Sequence, residues 1–304
     1  RKEALNGIEG NLKKYITTVN IRKLKPFQHI KEVVELFIPT IATQFYAIID
    51  KTMIGMFADS ATENGYYEQA FKVVDMSVMM ITTLGTILVP RVSKEFANKN
   101  LAAVKDYLRK SYKFVWLLGI GLMLGVTGIV NTFVPVFFGD GYDKVKILLP
   151  IFGLLYIPMG MNYMTGRQYL VATNQQNKYT KLLVIGGIVN ILVNFLLIPK
   201  FLSIGGAIGS VTGEFCILFI STKYLTKTKQ YDFKSFWKDI YKYCIAGVIM
   251  LIVLLCAQII MPLNWIGLGT LILIGVIVYG VMLITLKDSM VLELLNNIKA
   301  KILK

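Results

Sequence analysis

Asn190 and Asn194 lie four residues apart, as do Ser210 and Glu214, so each pair shares one face of a helix. All four fall in the stretch Leu182–Thr222, in which two apolar runs, Leu182–Ile198 and Ile204–Thr222, flank the connector Pro199-Lys200-Phe201-Leu202-Ser203. Each run approaches the length that crosses a bilayer. Polar and ionisable side chains at that depth are costly, so they face a bundle interior or a solute pathway. Thr212 belongs to the same set, and Asp50 sits about two-thirds along another apolar run. In the plainer reading Asn190 and Asn194 are hydrogen-bonding glue between helices. In the sharper one the set serves transport. No nucleotide-binding pattern accompanies these residues. The single His29 stands in a basic stretch without a catalytic partner, and no Gly-rich phosphate loop is present, which argues against direct ATP drive. Cys216, Cys244 and Cys256 lie in apolar runs without metal-ligand spacing and read as small buried hydrophobes.

The elements that must position these residues are membrane helices. Of the 304 residues 55% are hydrophobic and 17% charged, where a soluble domain carries about 25% charge; the mean hydropathy is +0.59. Eight apolar runs follow a basic first segment: Val33–Met56, Val73–Pro90, Phe114–Phe138, Ile147–Gly166, Leu182–Ile198, Ile204–Thr222, Cys244–Met261 and Leu263–Leu286. None alternates as a strand would. The expected fold is all-α, a polytopic membrane protein with eight transmembrane helices. It divides into a basic cytoplasmic segment (1–30), a six-helix lobe (31–222), and two additional helices with a cytoplasmic tail (223–304). Pro39, Pro150 and Pro158 are expected kinks. Of the 33 Lys and Arg residues, 28 fall in alternate loops, which places both termini in the cytoplasm by the positive-inside rule. The net charge of +15 is thereby a topology signal, and no nucleic-acid signature accompanies it. Leu36-Phe37-Ile38-Pro39 recurs as Leu155-Tyr156-Ile157-Pro158, a weak sign of two three-helix units of inverted topology.

Several stretches together resemble the polysaccharide flippases of the multidrug/oligosaccharidyl-lipid/polysaccharide exporter superfamily, the Wzx-like branch. They are FIPTIATQFYAIIDKTMIG (Phe37–Gly55), NGYYEQAFKVVD (Asn64–Asp75), LVPRVSKEFANKN (Leu88–Asn100), YLVATNQQNKYTK, and the hairpin from Asn190 to Glu214. The resemblance covers nearly all of residues 28–222 and, more loosely, the rest. It implies a protein of fourteen helices, of which this chain would be helices seven to fourteen. It also implies a plasma-membrane transporter rather than an enzyme, carrying an undecaprenyl-diphosphate-linked oligosaccharide to the outer leaflet by alternating access. Its partners would be that lipid-linked oligosaccharide, membrane lipids, and a polysaccharide polymerase with its chain-length machinery. Rivals are a lipid II flippase or multidrug/cation antiporter of the same superfamily and, from another class, a membrane-embedded enzyme acting on lipid-linked glycans. The outer loops, the longest about Met56–Ala70, are short for that enzyme.

The resemblance also implies a sodium site. Asp50, Asn190, Asn194 and Ser210 match its helices and spacing, and their oxygens suit a hard cation. Asn194 departs from the pattern, which has a carboxylate there. That leaves Glu214 to supply the charge or to carry a proton, so Na⁺ or H⁺ is the expected coupling ion and no cofactor is expected. For the substrate pyrophosphate the candidates are Lys51, Lys72, Arg91 and Arg167. Against this, Asp50-Lys51 and Lys72-Asp75 could form mutual salt bridges, and Arg91 and Arg167 could be topology anchors.

Overall fold

The computed structural model describes residues 30–58, 60–228 and 237–302, and every regular element among them is helical. The elements are α1 (Ile30–Phe57), α2 (Thr62–Ala97), α3 (Leu101–Phe138), α4 (Asp143–Gly153), α5 (Tyr156–Tyr163) and a π-helical segment, Met164–Val171. After these come α6 (Gln176–Phe201), α7 (Ser203–Lys227), α8 (Trp237–Ile260), α9 (Trp265–Thr285) and α10 (Ser289–Ile302). The main compact unit begins at Pro39, within α1. His29 lies outside the described residues.

Among the described residues six helices, α2, α3, α6, α7, α8 and α9, are long and apolar enough to cross a membrane. A seventh span is formed if α4 is counted with the bent continuation Tyr156–Val171. The eighth expected span falls in α1, a helix of 28 residues that includes side chains outside those described. Large apolar side chains such as Phe195, Leu196, Ile259 and Val276 are exposed along α6, α8 and α9, a surface suited to lipid. Rings of Phe133, Phe137, Phe138, Tyr142 and Trp265 gather where α3 ends and α9 begins, as aromatic side chains do at a membrane interface.

Helix α3 packs on α2, α4, α5, α8 and α9. Tyr279 on α9 donates to the Leu117 carbonyl at 2.8 Å. Gly128 on α3 admits Leu254 of α8, since a Cβ there would lie 2.9 Å from the Leu254 side chain. The bend between α4 and α5 is 43°. It falls at Leu154 and Leu155, whose N–H groups bond three residues back, to Ile151 and Phe152. Pro150 lies within α4, and Pro158 occupies the first turn of α5, where a missing N–H leaves no bond unmade. Cys216 and Cys244 are only partly buried and Cys256 is exposed, so the cysteines are not uniformly core residues.

The α6–α7 hairpin is tighter than the sequence suggests. Helix α6 continues through Pro199 to Phe201, and Leu202 alone makes the turn at φ 50° and ψ −124°. Small residues let the two backbones meet. A Cβ on Gly205 would lie 2.6 Å from the backbone of Leu197, and one on Gly213 would lie 2.9 Å from the Gly186 carbonyl oxygen. Gly205→Ala should therefore lower stability by about 1–3 kcal/mol, because backbone cannot yield as a side chain can. Gly65→Ala, with nothing within 4 Å of the new Cβ, should be neutral or stabilise by up to about 1 kcal/mol. Thermal unfolding of the two purified variants in detergent checks both signs.

Candidate functional site

Four helices converge on Asp50. Its carboxylate is 1% exposed and accepts four hydrogen bonds from neutral groups. Tyr67 Oη of α2 donates to Oδ2 at 2.8 Å, Ser210 Oγ of α7 to Oδ2 at 2.7 Å, and Asn194 Nδ2 of α6 to Oδ1 at 2.6 Å. Asn190 Nδ2 adds a longer contact to Oδ2 at 3.5 Å. The hydroxyls of Tyr67 and Ser210 are 2.9 Å apart, and Asn194 Nδ2 also reaches Asn190 Oδ1 at 3.3 Å.

Helix register brings these groups to one level. Asp50 stands seven residues before Phe57, Tyr67 five after Thr62, Asn194 seven before Phe201 and Ser210 seven after Ser203. At 1.5 Å per residue each lies roughly 8–11 Å from its helix end. Glycine gives the space. A Cβ on Gly209 would fall 1.9 Å from Asn194 Oδ1, and one on Gly206 would fall 3.1 Å from both Ile54 and the Tyr67 ring. The Tyr67 ring is held by Phe152, edge-on with centroids 5.1 Å apart, and lies parallel to Phe71.

The site is unusual in two respects. Asp50 makes no ion pair with a described residue, whereas buried carboxylates are ordinarily paired with a cation or coordinate a metal. In addition, Asn194 Oδ1 is buried with no hydrogen-bond partner. One carboxylate with amide, hydroxyl and phenol oxygens around it suits a hard monovalent cation better than a divalent one, and no group of three His, Cys, Asp or Glu side chains occurs among the described residues.

The structure thus brings together Asp50, Asn190, Asn194 and Ser210. It separates Glu214, whose carboxylate accepts from Asn162 Nδ2 of α5 at 2.7 Å, while the same nitrogen bonds the Glu214 carbonyl at 2.9 Å. The i,i+4 spacing puts Ser210 and Glu214 on one face, but successive turns of α7 meet different neighbours. The expected mutual salt bridges among Asp50, Lys51, Lys72 and Asp75 do not occur among the described residues. Lys51 and Lys72 both reach Glu68, at 3.3 and 3.1 Å, because Asp50 points inward while Lys51 points to the surface. Arg167 is exposed in the π-helical segment, 5.9 Å from the centroid of the Tyr163 ring. Arg91 lies near the opposite end of α2 from Tyr67 and lines a cavity beside α3 and α10. The sequence reading missed Tyr67 and Asn162. Its one available signal for Tyr67 was a buried-face position, Tyr67-Ala70-Val74-Val78, on α2.

A second tie closes the same end of the hairpin. Glu63 accepts from Ser203 Oγ at 2.7 Å and pairs with Lys144 of α4, and with α2 starting at Thr62 the connection between α1 and α2 is shorter than the expected loop Met56–Ala70.

A family model described as lipid II flippase MurJ matches residues 10–277. The chain belongs to that family. Among curated relatives it is 23% identical over 215 residues to a Haloferax volcanii protein named a low-salt glycan biosynthesis flippase, Agl15, covering 70% of this chain and 45% of the relative. It is also 23% identical over 194 residues to an Escherichia coli K12 protein named an O-antigen transporter, covering 64% and 46%. A solved structure described as lipid II flippase MurJ in an inward closed conformation superposes with a TM-score of 0.69 at 18% identity, covering 86% of this chain and 56% of that one. The chain therefore shares the fold of a MurJ-family protein and spans about half the length of the relatives it matches. The family is the lipid II branch, a rival in the sequence reading, of the superfamily that the motifs pointed to.

Tyr67→Phe should cost about 1.5–3 kcal/mol, the worth of a hydrogen bond to a charged group, with the ring packing kept. Glu214→Gln, which keeps the acceptor for Asn162, should cost less. Denaturation midpoints of the two variants in one detergent decide the order.

Proposed function

We propose that the protein carrying this chain is a flippase that moves a lipid-linked glycan across the plasma membrane by alternating access, coupled to a monovalent cation held at Asp50. The observation that carries the transport reading is the family match over residues 10–277. It also favours lipid II over an undecaprenyl-diphosphate-linked oligosaccharide as the substrate, while the names of the two relatives keep the oligosaccharide as the second reading. The distribution of Lys and Arg supports an orientation with the Arg91 end of α2 in the cytoplasm and the Glu63 end outside. The carried glycan would then be released to polymerising and chain-length machinery on the outer face.

The cation would be held by the Asp50 carboxylate with oxygens of Asn190, Asn194 and Ser210, and it would supply the positive charge that Asp50 otherwise lacks. Turning the Asn194 amide over exchanges a donor for its unpartnered oxygen, so the site passes from a hydrogen-bonded to an ion-liganding arrangement without moving the backbone. Because its ligands come from α1, α6 and α7, the ion would favour whichever arrangement of these helices brings them together. An ion shifts such an equilibrium only by its difference in affinity for the two states. Lys51 and Lys72, half exposed around Glu68, are the cations we assign to a substrate diphosphate. The ion pairs are exposed and cost little to open.

Two measurements test the reading. Na⁺ at about a hundred times its dissociation constant should stabilise the full-length protein by about 2.7 kcal/mol, more than K⁺ or choline, and Asp50→Asn should erase the difference. In proteoliposomes the full-length protein should flip labelled lipid II, and Asp50→Ala should slow it roughly tenfold. Equal rates in wild type and variant discard the coupling site. Flipping of neither lipid II nor a diphosphate-linked oligosaccharide discards the flippase.

A further inference from the structure

At the Arg91 end the structure holds a cavity of about 590 Å³ between α2, α3 and α10 that the transport reading does not use. Its lining is markedly basic. Arg91, Arg109, Lys110 and Lys113 contribute four positive charges against the single carboxylate of Glu293. Asp106, one turn back on α3, takes up part of this charge, binding Arg109 at 3.0 Å and Lys110 at 2.9 Å. Arg91 makes no ion pair with a described residue. Apolar side chains, among them Leu84 of α2 and Leu294 of α10, share the lining with these cations.

The third wall is a fixed element rather than a loose tail, although the sequence reading had only a cytoplasmic tail there. Asp288, fully buried, caps α10 by accepting from the N–H groups of Met290 and Val291 at 3.0 and 3.1 Å. Its other oxygen accepts from Tyr243 of α8 at 3.1 Å, and Lys242 donates to the Lys287 carbonyl. Helix α10 is thereby moored to a membrane helix. Its sequence SMVLELLNNIKAKI is amphipathic, and Met290 and Val291 pack against the main core. A short amphipathic helix moored in this way is suited to a bilayer surface.

We propose that this cavity binds the phosphate headgroup of an anionic phospholipid from the leaflet on the Arg91 side, with an acyl chain along Leu84 and Leu294. Basic pockets beside spanning helices are suited to such headgroups, and a lining of cations together with apolar side chains fits an amphiphile better than a free ion. The bound lipid would bridge α2 and α3 to α10. This assignment holds whichever glycan is carried, because it concerns a different face of the protein.

Native mass spectrometry of the purified full-length protein, titrated with phosphatidylglycerol and phosphatidylcholine, tests it. Phosphatidylglycerol should be retained preferentially, and Arg91→Gln with Lys113→Gln should weaken that retention roughly fivefold for each cation removed. Asp106→Asn, which releases two cations towards the cavity, should strengthen it. This opposite sign guards against a loss that reflects only misfolding. Equal retention of the two lipids overturns the proposal, as does a preference unchanged by the variants. Displacement of phosphatidylglycerol by millimolar inorganic phosphate overturns the lipid as the ligand. Failure here leaves the flipping assay untouched, and failure there leaves this binding intact.

Discussion

A carboxylate taken out of water without a counter-charge sets the arrangement of this protein. Asp50 is enclosed by neutral donors from α2, α6 and α7, and each of them is worth having only if the others are in place. A single missing donor would leave charge in a dry setting, so α1, α2, α6 and α7 are fixed in register to within a hydrogen bond. The glycines at 206 and 209 are part of the same constraint, because a Cβ at 209 would overlap Asn194 and one at 206 would crowd Tyr67 and Ile54.

The remaining polar ties are layered around that centre. Towards the Glu63 end, Glu63 binds the first residue of α7 and the first turn of α4. Towards the middle of α7, Asn162 holds Glu214 from α5. Near Glu214's partner helix the backbone passes into the π-helical segment, where Gly166 lets the ring of Tyr179 lie on the chain; a Cβ there would be 2.1 Å from the ring. Such segments are frequent at functional sites. The polar ties between α7 and its neighbours are few and directional, while α3 packs on α8 and α9 largely through apolar side chains.

The periphery follows the same economy of charge. Cations cluster at the Arg91 end, where α2 stops, α3 starts and α10 lies moored by Asp288, and aromatic rings cluster at the other. That asymmetry is the three-dimensional form of the loop counts read from the chain.

Much of this was already present in the linear sequence, for a simple reason. A bilayer imposes length and apolarity on each span, and these are properties of contiguous residues, so the all-helical fold, the α6–α7 hairpin and the superfamily were legible. So was the face shared by Asn190 and Asn194, because i,i+4 spacing is local geometry. The tertiary structure alone decided which polar residue meets which. Tyr67 joined Asp50, Glu68 rather than Asp50 or Asp75 took Lys51 and Lys72, Glu214 went to Asn162, and Leu202 by itself turned the hairpin. Those outcomes depend on rotation and depth between helices far apart in the chain, and no spacing along one helix encodes the face that a neighbour will present.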